Sequence, residues 1–229
     1  LYLMADLGDF EFDSGELYIP IDVIDYQGNR AYQGLSFKKD ADFLLKLNGK
    51  DNSTVLVDPY YNAFYYLYSV QSGQLPRNPE FEQKNTGLFQ PIYLALSAEL
   101  KLPQTQKTIP FTKFDTGKLT YGIANPNHKD YNSLADFYYE NGHVEIRIPW
   151  LLINVIDPSL GLIAGDYYQN QGVVEQAVDA LYFGIAHSSQ TQTPVAMEKF
   201  TWQHWKMPTY HERLKKSYYM IKETFEHFK

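Results

Sequence analysis

Gly142-His143-Val144-Glu145-Ile146-Arg147-Ile148-Pro149-Trp150 states its own geometry. Val144, Ile146 and Ile148 alternate with Glu145 and Arg147, the period of two that belongs to a strand with one apolar and one charged face. Another layer must cover the apolar side. Pro149 has no N–H to give a ladder, so the strand ends there, and Trp150 turns a large ring onto the covering layer as part of the core. The segment behind it, Leu151 to Ser159, reads as a turn of helix or irregular chain that closes the end of a sandwich.

Working outward, the same period recurs. Leu1 to Leu7 reads as a strand. Leu17, Ile19, Ile21 and Val23 share one face of a second, in which Pro20 predicts an edge position or a bulge. Phe43, Leu45 and Leu47 alternate with Asp42, Leu44 and Lys46, and Asn48-Gly49 turns that strand back into Thr54-Val55-Leu56-Val57 as a hairpin. Tyr26 to Asp40, polar with Gly28 and Gly34, reads as a loop. Tyr60 to Val70 is too aromatic for an exposed helix and reads as a strand. Gln71 to Thr86 is the longest candidate loop. Leu88 to Leu96, a segment around Leu119 to Ile123, Leu181 to Ala186 and Val195 to Trp202 supply further strands, while Gly161 to Asp179 reads as loop with one helical turn. The fold class that follows is all-β, an antiparallel jelly-roll-like β-sandwich over residues 1–206.

The last segment, 207–229, changes character. Thr209 and Glu212 form a T-x-x-E capping box after Pro208. Behind it Tyr210, Leu214, Tyr218, Ile221, Phe225 and Phe228 recur at helical spacing, one apolar stripe of an amphipathic helix. That stripe predicts packing on the sandwich or on a neighbour.

The totals agree with this picture. At 229 residues with 44% apolar content, one domain can bury a full core. Tyr 20 and Phe 14 against Met 4 favour pleated surfaces. A net charge of -7, with no cluster of Lys and Arg, argues against a nucleic-acid partner. The absence of cysteine excludes disulfides and thiolate metal sites. No stretch approaches the ~20 apolar residues that a membrane-spanning helix needs. The chain opens inside a pattern, Leu1-Tyr2-Leu3-Met4-Ala5, which reads as a fragment of a larger protein.

The glycine, the V-E-I-R strand and the I-P-W ending resemble the late strand of family 9 carbohydrate-binding modules and DOMON-like domains. The opening order of a first strand, a loop and the Glu16-Leu17-Tyr18-Ile19 strand is similar to theirs. Asp42 to Leu45, Asn132 to Tyr138 and Pro208 to Lys215 also resemble C-terminal regions of large uncharacterised bacterial envelope proteins. Some of those carry a family 2 glycosyltransferase label that belongs to another part of the protein. The resemblance implies an extracytoplasmic, non-catalytic module that binds carbohydrate and adjoins other modules of its chain.

The residues themselves leave the chemistry open. G-x-S-x-G, G-x-x-x-x-G-K and G-x-G-x-x-G are absent, and the six histidines show no H-E-x-x-H pairing. Glu145 is the one tempting acid, and a solvated partner of Arg147 or of a cross-strand neighbour is the plainer reading. Sugars stack their C–H faces on aromatic rings, so Trp202, Trp205, Tyr60, Tyr61 and Asn62 are the candidate ligand-binding residues. The alternative is that the tryptophans clamp the terminal helix. No cofactor is expected apart from a structural Ca2+, for which Asp6, Asp9 and Asp13 are the candidate ligands. Turn formation and solubility explain the same aspartates. Two rival functions remain: a structural or docking domain with no small ligand, and a carbohydrate-active enzyme, which would need opposed carboxylates across a cleft.

Overall fold

The computed structural model describes residues 1–8, 10, 15–188, 194–206 and 215–228. His143–Arg147 is the middle strand of a three-stranded antiparallel sheet, flanked by Tyr2–Asp6 and Phe137–Glu140. Val144 and Ile146 point inward and are buried, while Glu145 points out, as the alternation requires. A two-residue turn, Asn141-Gly142, joins Phe137–Glu140 to this strand, with both residues at positive φ. Gly142 is needed for a second reason. A Cβ there would meet the Gly8 carbonyl oxygen at 2.7 Å, in the place where the Leu7 N–H donates to the Gly142 carbonyl.

Opposite lies a seven-stranded sheet with Leu17–Asp22 and Phe43–Leu47 at its centre. Leu17, Ile19, Ile21, Phe43, Leu45 and Leu47 meet Val144, Ile146 and Phe137 across the inter-sheet core. Burying each such side chain stabilises the fold by about 1.5–3 kcal/mol. Phe43–Leu47 and Thr54–Val57 form the hairpin that Asn48-Gly49 predicts.

Pro20 sits neither at an edge nor in a bulge. It pairs with Leu44 on one side, and on the other the partner changes from Leu181–Gly184 to Ala186–His187. The missing N–H therefore falls where the ladder is already interrupted. A Cβ on Gly184 would approach the Pro20 ring at 2.9 Å, so a glycine accommodates the ring.

The back of this larger sheet is also covered. Tyr18 and Leu44 pack against Leu35, Phe37 and Ala41, which belong to a hairpin of strands Asn29–Tyr32 and Leu35–Ala41. This corrects the expectation of a loop over the polar stretch 26–40. Its alternation of Leu35 and Phe37 with Ser36 and Lys38 is a strand pattern hidden among turn residues. Gly161 to Asp179 likewise holds more strand than expected, with Leu162–Ala164 and Glu175–Ala177 joining Val155–Asp157 in a small sheet.

Residues 60–70 are helical, not a strand. A 3-10 turn Pro59–Tyr61 leads into a π-helical turn Ala63–Leu67 and a short α-helix Tyr68–Gln71. Tyr60, Tyr61, Tyr65, Tyr66 and Leu67 are buried and only Phe64 and Tyr68 open to solvent. A helix apolar almost all round is a buried helix, which is why its composition mimics a strand. Asp58 starts it, accepting the Tyr60 N–H on its side chain, with Pro59 next in line.

Pro149 ends the organising strand, and Trp150–Ile153 forms one 3-10 turn. Trp150 is half-buried against the core. The terminal helix runs Lys216–Glu226, and the expected capping box at Thr209 and Glu212 lies outside the described residues. Tyr218, Ile221, Phe225 and Phe228 are all exposed. The expected packing of this stripe on the sandwich is not made among the described residues.

Candidate ligand-binding face

The outer surface of the three-stranded sheet is uncovered, and its residues follow from the pleat. Tyr2 and Met4 of the first strand stand beside Arg147 and Glu145 of the middle strand, and Tyr138 stands on the other side of Glu145. Tyr2 is 77% and Met4 73% exposed. These five side chains, with Gly122, Ala124, Ala135 and Asp136, line a shallow depression of about 320 Å3. Tyr2 projects into solvent, while Tyr138 is half-buried beside Tyr121.

The border is anchored from below. Arg147 donates from Nη2 to the carbonyls of Ser133 and Ala135, at 2.9 and 2.7 Å, so the guanidinium is held in place without Glu145. Glu145 makes no ion pair among the described residues, in contrast to the expected pairing with Arg147. The ring of Tyr121 lies 5.6 Å from that of Tyr138, tilted by 31°, and Lys50 Nζ stands 4.9 Å from the Tyr121 ring centre. Two aromatic rings, a carboxylate and a fixed guanidinium thus share one open face.

The residues singled out from sequence fall elsewhere. Tyr60 is 5% exposed and Tyr61 1% exposed, so neither ring can stack on a ligand from solvent. The Tyr60 hydroxyl donates to the Asp166 carboxylate at 2.9 Å, Lys84 Nζ lies 3.1 Å from the same carboxylate, and the Tyr61 hydroxyl donates to the Ala164 carbonyl. Asn62 is buried and its Nδ2 has no hydrogen-bond partner among the described residues. Those three residues position the buried helix.

Trp202 is half-buried. Its Nε1–H donates to the Pro158 carbonyl at 2.6 Å, and its ring lies 5.4 Å from Trp150 and 5.9 Å from Phe200. The Trp205 N–H donates to the Ser159 carbonyl, and its side chain is 42% exposed. Together they fasten the end of the sandwich to the 158–159 turn.

Asp6 accepts the Gly8 N–H and lies 3.8 Å from His143 Nε2. Asp9 and Asp13, the other candidate Ca2+ ligands, lie outside the described residues. Among the described residues no group of three or more His, Asp and Glu is arranged to hold a metal ion.

Burial raises the pKa of three carboxyl groups. Asp22 is pushed up to about 6, Asp58 to about 7, and Asp42 well above the usual range. None lines the open face. Asp22 instead borders a polar pocket of about 270 Å3 with Asp25, Asp179, Tyr182 and Lys199. Lys39 occupies Asp22 and Asp25 at 3.1 and 3.2 Å.

Sequence reasoning passed over Tyr2 and Tyr138. The signal was present, since both lie on strands paired with the one strand whose charged face was already legible. Comparison of the chain with protein-family models, curated proteins and solved structures finds no match. No helix among the described residues is long and apolar enough to cross a membrane.

Proposed function

We propose that this β-sandwich is a non-catalytic binding module that grips carbohydrate on the outer face of its three-stranded sheet. The observation that carries the reading is the exposed ring of Tyr2 and the half-buried ring of Tyr138 on either side of Glu145 and Arg147. Aromatic rings offer flat faces for the C–H side of a sugar. A carboxylate accepts from hydroxyls, and a guanidinium already bonded to two carbonyls donates from its remaining N–H groups without losing side-chain freedom on binding. The shallow, open depression suits a chain of sugar units lying across the strands better than a small molecule enclosed on all sides. In this reading the module is extracytoplasmic, works beside other modules of a bacterial envelope protein, and concentrates its neighbours on a glycan.

A glycan array followed by calorimetric titration tests this. The expected result is binding of at least one neutral or basic oligosaccharide that Tyr2→Ala weakens at least tenfold with thermal stability unchanged, and that Tyr138→Ala weakens at least tenfold in the folded protein. Silence across the array, or binding indifferent to both substitutions, overturns it.

A further inference from the structure

Three buried aspartates stand in one row at the ends of three adjacent strands of the larger sheet. The register that pairs Phe43 with Val57 sets Asp42 opposite Asp58 at its next step, where the Asp58 N–H donates to the Asp42 carbonyl. On the other side of Asp42, the register that pairs Ile21 with Phe43 sets Asp22 opposite it in turn, and the Asp42 N–H donates to the Ile21 carbonyl. Residues directly opposite in a ladder turn their side chains to the same face.

The cations do not match the carboxyls. Lys39 Nζ is bonded to Asp22 and Asp25, and Asp40 beside them is held by Arg30. Around the other two carboxyls stand Tyr60, Tyr61 and Asp166, with the Tyr61 hydroxyl on the Ala164 carbonyl and Asp166 taken by Tyr60 and Lys84. Asp42 and Asp58 therefore have no ion-pair partner among the described residues. Val23 and Ile24 donate to Asp42 Oδ2, Tyr60 donates to Asp58 Oδ1, and Asp42 Oδ1 and Asp58 Oδ2 are left unpartnered. Two buried like charges disfavour one another's ionisation, and a buried acceptor without a donor is costly. One proton answers both problems, because an acid O–H on either residue donates to the free oxygen of the other.

We propose that Asp42 and Asp58 hold a single proton between them and that this proton is a latch. While it is bound, the exit of the central strand, held through Val23 and Ile24, is joined to the start of the buried helix, held through Tyr60. When it leaves for solvent, two carboxylates face one another without a cation and the two segments part. Burial raises both groups, Asp58 to about 7, so the latch is closed in mild acid and opens as pH climbs through neutrality. Neither residue lines the open face, so the latch does not depend on the glycan reading.

Hydrogen exchange of single amides tests this. In the wild type, protection of the Tyr60 amide, corrected for the intrinsic effect of pH, should fall at least tenfold between pH 6 and pH 8. Asp58→Asn and Asp42→Asn each supply a permanent N–H donor to the remaining carboxylate, so each alone should abolish that fall, although Asp42 does not touch the Tyr60 amide. Asp22→Asn should leave the fall in place. The double variant, with two amide donors opposed, should protect Tyr60 less than either single one. Protection independent of pH in the wild type overturns the proposal. So does a fall that Asp42→Asn leaves intact, one that Asp22→Asn abolishes, or a double variant at least as protected as the single ones.

Discussion

The backbone N–H of Asp58 donates to the carbonyl of Asp42 at 2.7 Å, which brings two wholly buried carboxyl groups into one electrostatic neighbourhood beside the inter-sheet core. Each has work to do. Asp42 Oδ2 accepts the N–H groups of Val23 and Ile24 at 2.7 and 2.9 Å, holding the chain as it leaves the central strand. Asp58 Oδ1 accepts the Tyr60 N–H and starts the buried helix. Each also keeps one oxygen, Asp42 Oδ1 and Asp58 Oδ2, without a partner among the described residues.

Stability should therefore fall as pH rises from about 4 to about 7. Asp58 is raised from its ordinary 3.8 to about 7, chiefly by burial. The folded chain holds that proton more tightly than the unfolded chain, so the advantage is complete below pH 3.8 and is lost as pH climbs through about 7. Asp22, raised to about 6, acts in the same sense. Each tenfold difference in proton affinity between the folded and unfolded chain is worth about 1.4 kcal/mol. Asp58→Asn should therefore gain on the order of 2–4 kcal/mol at pH 8 and flatten the slope. Urea melts of both proteins at pH 4, 6 and 8 measure this, and parallel pH profiles would refute it.

Trp202 and the tyrosines of the open face should separate stability from binding. Trp202→Ala removes a bond to Pro158 and ring contacts with Trp150 and Phe200. A loss of about 3 kcal/mol is expected, with glycan affinity of the folded fraction unchanged. Tyr2→Ala should do the reverse, costing less than about 0.5 kcal/mol of stability. Thermal melts run beside titrations on the same samples tell the two roles apart.

Neighbouring residues of the organising strand should differ sharply. Ile146 is buried in the inter-sheet core, so Ile146→Ala should cost about 2–5 kcal/mol. Glu145 is exposed and has no ion-pair partner among the described residues, so Glu145→Ala should change stability by less than about 0.5 kcal/mol. Denaturant midpoints at constant slope give both values.

Gly142→Ala should cost more than about 1 kcal/mol, because the new methyl group would meet the Gly8 carbonyl oxygen at a backbone φ of +77°. Gly49→Ala is the contrast, with a positive φ but nothing within 4 Å. The milder effect there isolates backbone strain from collision, and equal losses at both sites would contradict the close approach of Gly8.

Legibility from sequence followed exposure. The strand at 143–147 and the hairpin at 43–57 were readable because one or both faces repeat with a clear period. The run 60–70 was not, since burial on all sides erases the contrast between faces that distinguishes a helix from a strand. The hairpin at 29–41 was obscured for the opposite reason, its few apolar residues being diluted among turn formers. Among the candidate site residues the same rule explains the misplacement. A surplus of tyrosine announces rings, but not which of them a neighbouring layer covers.

Alternation along Val144, Ile146 and Ile148, the glycine turns and the aromatic-rich, cysteine-free composition determined by themselves that this protein would be a layered β structure with a polar outer face and a terminal helix. Only the tertiary structure decided that Tyr60 and Tyr61 face inward toward Asp166 and Ala164 while Tyr2 and Tyr138 stand on the open face. The physical reason is that side-chain period is local, whereas burial depends on which distant segment pairs with which. Tyr2 meets Arg147 across 145 residues of chain, and no local pattern encodes that meeting.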